Sequence, residues 1–141
     1  MNPPMIRGTC WIQVAGWLTL GLGVIHIAAT PLIFPLSASL LADPELLSSL
    51  YMFEMTGFAV VFTGWLVMYA SQGWRQGQRW AWQVCQGAGL FLLLLGAGAV
   101  LAMPDNPFAY LSLVIAIVEN LPVWLYRSYF KRKEPAHVKD A

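Results

Sequence analysis

Three ionisable side chains fall inside long apolar runs of this chain: His26, Glu54 and Glu119, with Asn120 beside the last. A charge at membrane depth is costly, so such residues usually face a bundle interior and often mark function. A carboxyl held neutral in an apolar pocket is a proton donor. That suits general-acid chemistry on a lipophilic substrate, such as protonation of an alkene, an epoxide or an enol. It equally suits a proton-coupled carrier in which proton and substrate compete for one carboxylate. A histidine beside a glutamate can relay protons from the outer face. Glu119, Glu54 and His26 are therefore the candidate catalytic residues, and Asn120, Thr19, Thr30 and Ser112 the candidate ligand-binding ones.

Depth separates these groups. Counting from Trp11, His26 stands roughly 22 Å above the expected cytoplasmic interface at 1.5 Å rise per residue. Glu54, counted from Ala70, stands roughly 24 Å above it on the same rise. Glu119 is eight residues before Arg127 and only about 12 Å up. The expectation is an outer His26–Glu54 pair and an inner Glu119–Asn120 site, about 10 Å apart in depth. Groups so far apart cannot share one ion, and His26 with the tail residue His137 offers no pair for haem ligation. No metal and no cofactor are expected. Each group also has a plain structural role open to it. His26 could bond a backbone carbonyl, Glu54 could pair with His26 or reach outward, and Glu119 could donate a structural hydrogen bond.

The elements that must position these residues are four apolar stretches, at about 10–30, 46–70, 81–103 and 108–126. Each is near the ~20 residues that cross a bilayer core. The runs are continuous rather than alternating, so they read as helices and not as barrel strands. Composition agrees: 58% of residues are hydrophobic and 11% charged, where soluble domains carry about 25% charged. The net charge of +1 argues against a nucleic-acid partner. The fold class is all-α, an integral membrane four-helix bundle of antiparallel up-down order. One domain spans 1–130, and a basic tail follows at 131–141.

Charge sets the orientation. Arg7, Arg75, Arg79, Arg127, Lys131, Arg132, Lys133 and Lys139 are all eight of the basic residues. They fall on one side of such a bundle, while Asp43, Glu45 and Asp105 fall on the other. The positive-inside rule then makes both termini and the middle loop cytoplasmic, in a bacterial-type inner membrane. The first run is long for a cleaved signal peptide, so it is expected to stay as a span. The tail from Lys131 reads as a cytoplasmic end, and its Lys131-Arg132-Lys133 run could touch anionic lipid.

Local signals mark the connections. Pro31 to Ala42 reads as an apolar external loop. Asp43-Pro44-Glu45 is a helix start, with an N-cap, a proline and a first-turn acid. Ser71 to Trp80 is the middle loop, and Pro104-Asp105-Asn106-Pro107 is a tight turn. Trp11, Trp74, Trp80, Trp82 and Trp124 read as an interfacial aromatic belt. Trp17 and Trp65 lie deeper and read as packing residues, either of which could line a ligand site. Cys10 and Cys85 read as small packing residues on the reducing side.

Small or polar residues recur on each helix: Ala15, Thr19, Gly23, His26 and Thr30 on the first, then Glu54, Gly57, Val61, Gly64 and Met68 on the second. The third carries Gly87, Gly89, Gly96 and Gly98, and the fourth Ser112, Ala116 and Glu119. Such stripes either let helices approach closely or leave room for a ligand. Pro122 adds a kink that frees the Val118 carbonyl near Glu119.

The four-helix layout, with Gly77-Gln78-Arg79-Trp80-Ala81-Trp82 at the head of the third helix, resembles small bacterial membrane proteins of the DoxX-like kind. That group is functionally mixed, with some members tied to quinone-linked oxidoreductase systems, and no functional residue carries over from it. A carboxylate and a histidine within a small bundle are also similar in concept to the EXPERA group of sterol isomerases and lipid-binding proteins. Three functions stay open: a protein that binds or transforms a small or lipophilic molecule, a proton-coupled transporter, and an accessory subunit of a larger membrane complex. Membrane lipids and further copies of the chain are expected partners.

Overall fold

The computed structural model describes residues 3–35 and 42–132. Among the described residues the long helices α1 (Pro3–Ile33), α2 (Pro44–Arg75), α3 (Arg79–Ala102) and α4 (Pro107–Leu125) follow in order, and then the short α5 (Arg127–Arg132). The first four are each long and apolar enough to cross a membrane, which suggests a multi-pass membrane protein. They close a ring in which α1 packs on α2 and α4, and α3 packs on α2 and α4. Residues 36–41 of the expected external loop lie outside the described residues. So does the tail from 133, with His137 and Lys139 in it.

The caps read from sequence form as local chemistry dictates. Asp43 Oδ1 accepts from the backbone N–H of Glu45 at 2.9 Å and of Leu46 at 3.3 Å, and Pro44 opens α2. Asn106 Oδ1 accepts from Phe108 N at 3.0 Å, with Pro107 opening α4. These side chains satisfy amides that have no partner within the helix.

Three boundaries differ from the sequence expectation. Pro31 lies inside α1, and helical bonding continues to Phe34 N on Thr30 O at 2.8 Å. A proline in the last turn removes a single bond, so the helix runs on past it. The expected middle loop from Ser71 to Trp80 is nearly all helix; only Gln76, Gly77 and Gln78 connect α2 to α3. Gly77 sits at φ 69°. Gln78 N bonds Gly73 O at 2.9 Å and Gly77 N bonds Trp74 O at 2.9 Å. This six-to-one and five-to-two pairing around a left-handed glycine ends a helix and reverses the chain in the fewest residues. Finally, α5 takes in Lys131 and Arg132, which the sequence reading placed in the tail.

The core is densest at the end of the bundle where α2 meets α3. Ile12, Val67, Trp74, Trp82, Cys85, Val123 and Phe130 cluster there, all buried. Phe130 on α5 packs its ring 4.7 Å from Trp74 and 6.5 Å from Trp82. Trp82 Nε1 donates to Val123 O at 3.0 Å, supplying a donor to a carbonyl in the last turn of α4. Trp74 and Trp82 are thus core residues and not interfacial anchors, which corrects the belt reading for those two. Trp11, Trp80 and Trp124 are exposed. Trp17 and Trp65, read as packing residues, are instead 61% and 53% exposed on the outer surface. Cys10 is also exposed, while Cys85 is buried.

The α1–α2 seam is backbone against backbone. A Cβ on Gly23 would stand 2.6 Å from Val61 N, and one on Gly64 would stand 2.5 Å from Leu20 N. Gly16 faces Met68, and Gly57 faces Ile27. Gly16 with Gly23, and Gly57 with Gly64, are each seven residues apart, which keeps both pairs on one seam. On these two helices the small-residue stripe therefore serves close packing. On α3, Gly87 and Gly98 are exposed and face open space, whereas Gly89 and Gly96 are buried against α4.

Candidate functional site

The inner polar cluster is built where α1 and α4 meet. Thr19 and Glu119 both lie on interior faces and are fully buried. The Thr19 hydroxyl donates to Glu119 Oε2 at 2.9 Å. The other carboxyl oxygen, Oε1, is buried and has no hydrogen-bond partner. It would accept a bond if the carboxyl is ionised and could donate one if protonated. Cys85 on α3 is also fully buried and lies near Glu119.

Asn120 follows Glu119 around α4 and points towards α3. Its Nδ2 donates to Gly89 O at 2.8 Å and to Ala116 O at 2.8 Å, so both amide hydrogens are used. The contact requires glycine: a Cβ on residue 89 would lie 2.6 Å from Asn120 Oδ1. Gly89→Ala is therefore expected to cost about 1–3 kcal/mol by overpacking. In an Asn120→Ala background the same change should cost little, because the obstructing amide is gone. Unfolding in detergent across this four-variant cycle checks it. Equal cost of Gly89→Ala in both backgrounds would disprove the contact. Pro122, one turn on, is buried and leaves the Val118 carbonyl without its helical donor.

The outer group is separate. His26 Nε2 lies 3.1 Å from Phe53 O, and its ring stacks on Phe53 at 3.8 Å. Thr30 is buried and bonds its own helix at His26 O, 3.4 Å away. Glu54 is half-buried and, among the described residues, makes no hydrogen bond to His26. It borders an open, apolar concavity of about 590 Å³ along α2, with Leu47, Ser48 and Tyr51. Ser112 bonds Ala109 O on its own helix at 2.7 Å. Of the sequence candidates, the fold thus joins Thr19, Glu119 and Asn120 into one cluster. It leaves His26, Glu54 and Thr30 in a second group, and Ser112 in neither.

Cys85 and Gly89 belong to the first cluster, though the sequence offered Cys85 only as a small packing residue and Gly89 as one of a stripe of small residues that could pack or leave room for a ligand. Their spacing of one helical turn was the available signal. Among the described residues no three His, Cys, Asp or Glu side chains come together as a metal ion would need. A second concavity, of about 200 Å³, lies between the N-terminal part of α1 and the end of α2, lined by Thr9, Cys10, Gln13 and Arg75. Neither concavity reaches Glu119.

Comparison with family models, with curated proteins and with solved structures finds no match to this chain.

Proposed function

We propose that this chain is a multi-pass protein of a bacterial-type inner membrane whose interior Glu119 site binds a small or lipophilic molecule and supports acid–base chemistry on it. Both termini and the α2–α3 turn face the cytoplasm in this reading, since the basic residues gather at that end. The observation that carries it is Glu119 Oε1: a fully buried carboxyl oxygen without a hydrogen-bond partner, while Oε2 of the same group is bonded to Thr19. Buried polar atoms are nearly always satisfied, so one that is not points to a group that arrives. An O–H or N–H on an otherwise apolar molecule would meet it, with Thr19 holding the carboxyl in place and Asn120 fixing α4 against α3.

The test is native mass spectrometry of the detergent-purified protein beside Glu119→Gln. The wild type should carry a discrete extra mass that the variant lacks, with the unfolding temperature of the variant close to wild type. Identical spectra for the two proteins would rule out a ligand held by this carboxyl.

The reading as an accessory subunit draws on a different observation. Phe62, Trp65 and Tyr69 form an exposed row on α2, with rings 5.8 and 6.1 Å apart, extended by Trp80 at 5.7 Å. A rigid aromatic face of this kind suits a partner helix as well as lipid. Co-purification of a second chain that is lost with Trp65→Ala would favour it.

A further inference from the structure

At the end of the bundle away from Asp43, Glu45 and Asp105, a concavity lies between α1 and α2. Thr9, Cys10, Gln13 and Arg75 line it, and every one of these side chains except Cys10 is polar or charged. Arg75 occupies the last turn of α2, and helix alternation places Asp43, Glu45 and Asp105 at the opposite end. Neither Arg75 nor Gln13 forms a hydrogen bond or ion pair with another described residue. Arg75 and Gln13 therefore both border a space of about 200 Å³, and among the described residues no carboxylate lines it.

The surface beside this space is apolar. Cys10, Gln13, Trp17 and Gly21 recur at three- and four-residue steps, so they share one face of α1. Trp17 is 61% exposed and neighbouring Val14 51%. A Cβ on Gly21 would meet nothing within 4 Å, so the helix backbone there is bare. A cleft bordered by one cation and two uncharged polar residues thus lies beside an apolar shelf that runs towards the middle of the span.

We infer that this cleft binds the phosphodiester headgroup of a membrane phospholipid, with Arg75 and Gln13 holding the phosphate and an acyl chain lying over Val14, Trp17 and Gly21. The guanidinium matches a phosphate oxygen pair in geometry and charge. A singly charged phosphodiester leaves a net charge of zero when it meets one arginine. The adjoining shelf favours a lipid over free phosphate, because only the lipid covers Trp17. This site is independent of Glu119, at the interface rather than the interior.

The experiment uses the full chain in detergent, titrated with phosphatidylglycerol and, separately, with inorganic phosphate, and read by native mass spectrometry. Wild type should retain one phospholipid above the background of loosely bound lipid. Arg75→Gln should weaken retention about tenfold, the scale of one charge-assisted hydrogen-bonded contact. Gln13→Ala should weaken it less, and Arg127→Gln, an exposed cation at the same end, should leave it unchanged. Trp17→Ala should weaken the lipid and not inorganic phosphate. Equal retention by wild type and Arg75→Gln overturns the proposal. So does an equal loss in Arg127→Gln, which means unspecific attraction, or saturation by inorganic phosphate at the same concentration as lipid, which means a free-anion site.

Discussion

Gly64→Ala is expected to destabilise the bundle by about 2–3 kcal/mol, the upper part of the range for overpacking. In an ordinary helix interior the same change would stabilise by about 0.5–1 kcal/mol, because alanine loses less backbone freedom than glycine. Here the added Cβ would stand 2.5 Å from Leu20 N and 2.8 Å from Leu20 Cα. Both are backbone atoms, so no rotamer change relieves the contact and α1 must move away from α2. Gly87→Ala is the internal control. Gly87 is exposed on α3 with nothing within 4 Å of the new methyl, so that change should be neutral or slightly stabilising. Unfolding of both variants in the same detergent reads the difference in sign. The displacement also has a functional consequence, since Leu20 is next to Thr19. Moving α1 draws the Thr19 hydroxyl off Glu119, so ligand retention should fall in Gly64→Ala even where most of the protein stays folded. A Gly64→Ala protein as stable as Gly87→Ala would mean that α1 and α2 do not pack along this seam.

The second large effect concerns the buried carboxyl itself. Thr19→Val keeps the side-chain shape and removes the only donor to Glu119 among the described residues, leaving both carboxyl oxygens buried and unpaired. The cost of stranding such a group is about 1–3 kcal/mol. Hydrogen bonds between membrane helices average less, about 0.6 kcal/mol, because unfolded helices find other partners. A carboxyl already short of one partner has fewer alternatives, so about 1.5–2 kcal/mol is expected for Thr19→Val. Glu119→Leu should behave oppositely. It removes the unsatisfied oxygen and fills the space with apolar atoms, a replacement that is often neutral or stabilising. Thr19→Val should then cost almost nothing in the Glu119→Leu background, a coupling measurable by equilibrium unfolding of the four proteins. Ligand retention should vanish in Glu119→Leu while stability holds or rises. That divergence is the signature of a group kept for function at the expense of stability. A strongly destabilised Glu119→Leu protein would instead make the carboxyl a structural element and would weaken the binding proposal.

The four long helices and two of their N-terminal caps are legible in the sequence. Four apolar runs of spanning length can only be helices in lipid, and the helices form where those runs lie. Asp43-Pro44 and Asn106-Pro107 cap and open α2 and α4 by bonds between near neighbours, so no tertiary information is needed to read them. Residue counting also sets Glu119 apart from His26 and Glu54 along the helices, and among the described residues no hydrogen bond joins the two groups. The extra turns of α2 beyond Ala70 were hidden because Gln72, Gly73 and Gly77 read together as loop, whereas only Gly77 carries the turn.

Which face of each helix turns inward is set by packing between helices. In a soluble helix the polar face announces the outside; in a helix that is apolar all round no such contrast exists, because lipid is as apolar as the core. That is why Trp74 and Trp82 could be taken for anchors and Trp17 and Trp65 for packing residues, with the true positions reversed. The same degeneracy hid Phe130, which closes the core from a short helix after the last span. It hid the partners of the polar residues too. Nothing local to residue 119 selects Thr19, a hundred positions away, over His26, and nothing local to Asn120 selects Gly89. Those choices follow from the α1–α2 glycine seam and the ring order of the helices. Together these set α1 and α4 side by side and bring one threonine hydroxyl to one carboxyl oxygen while leaving the other oxygen open.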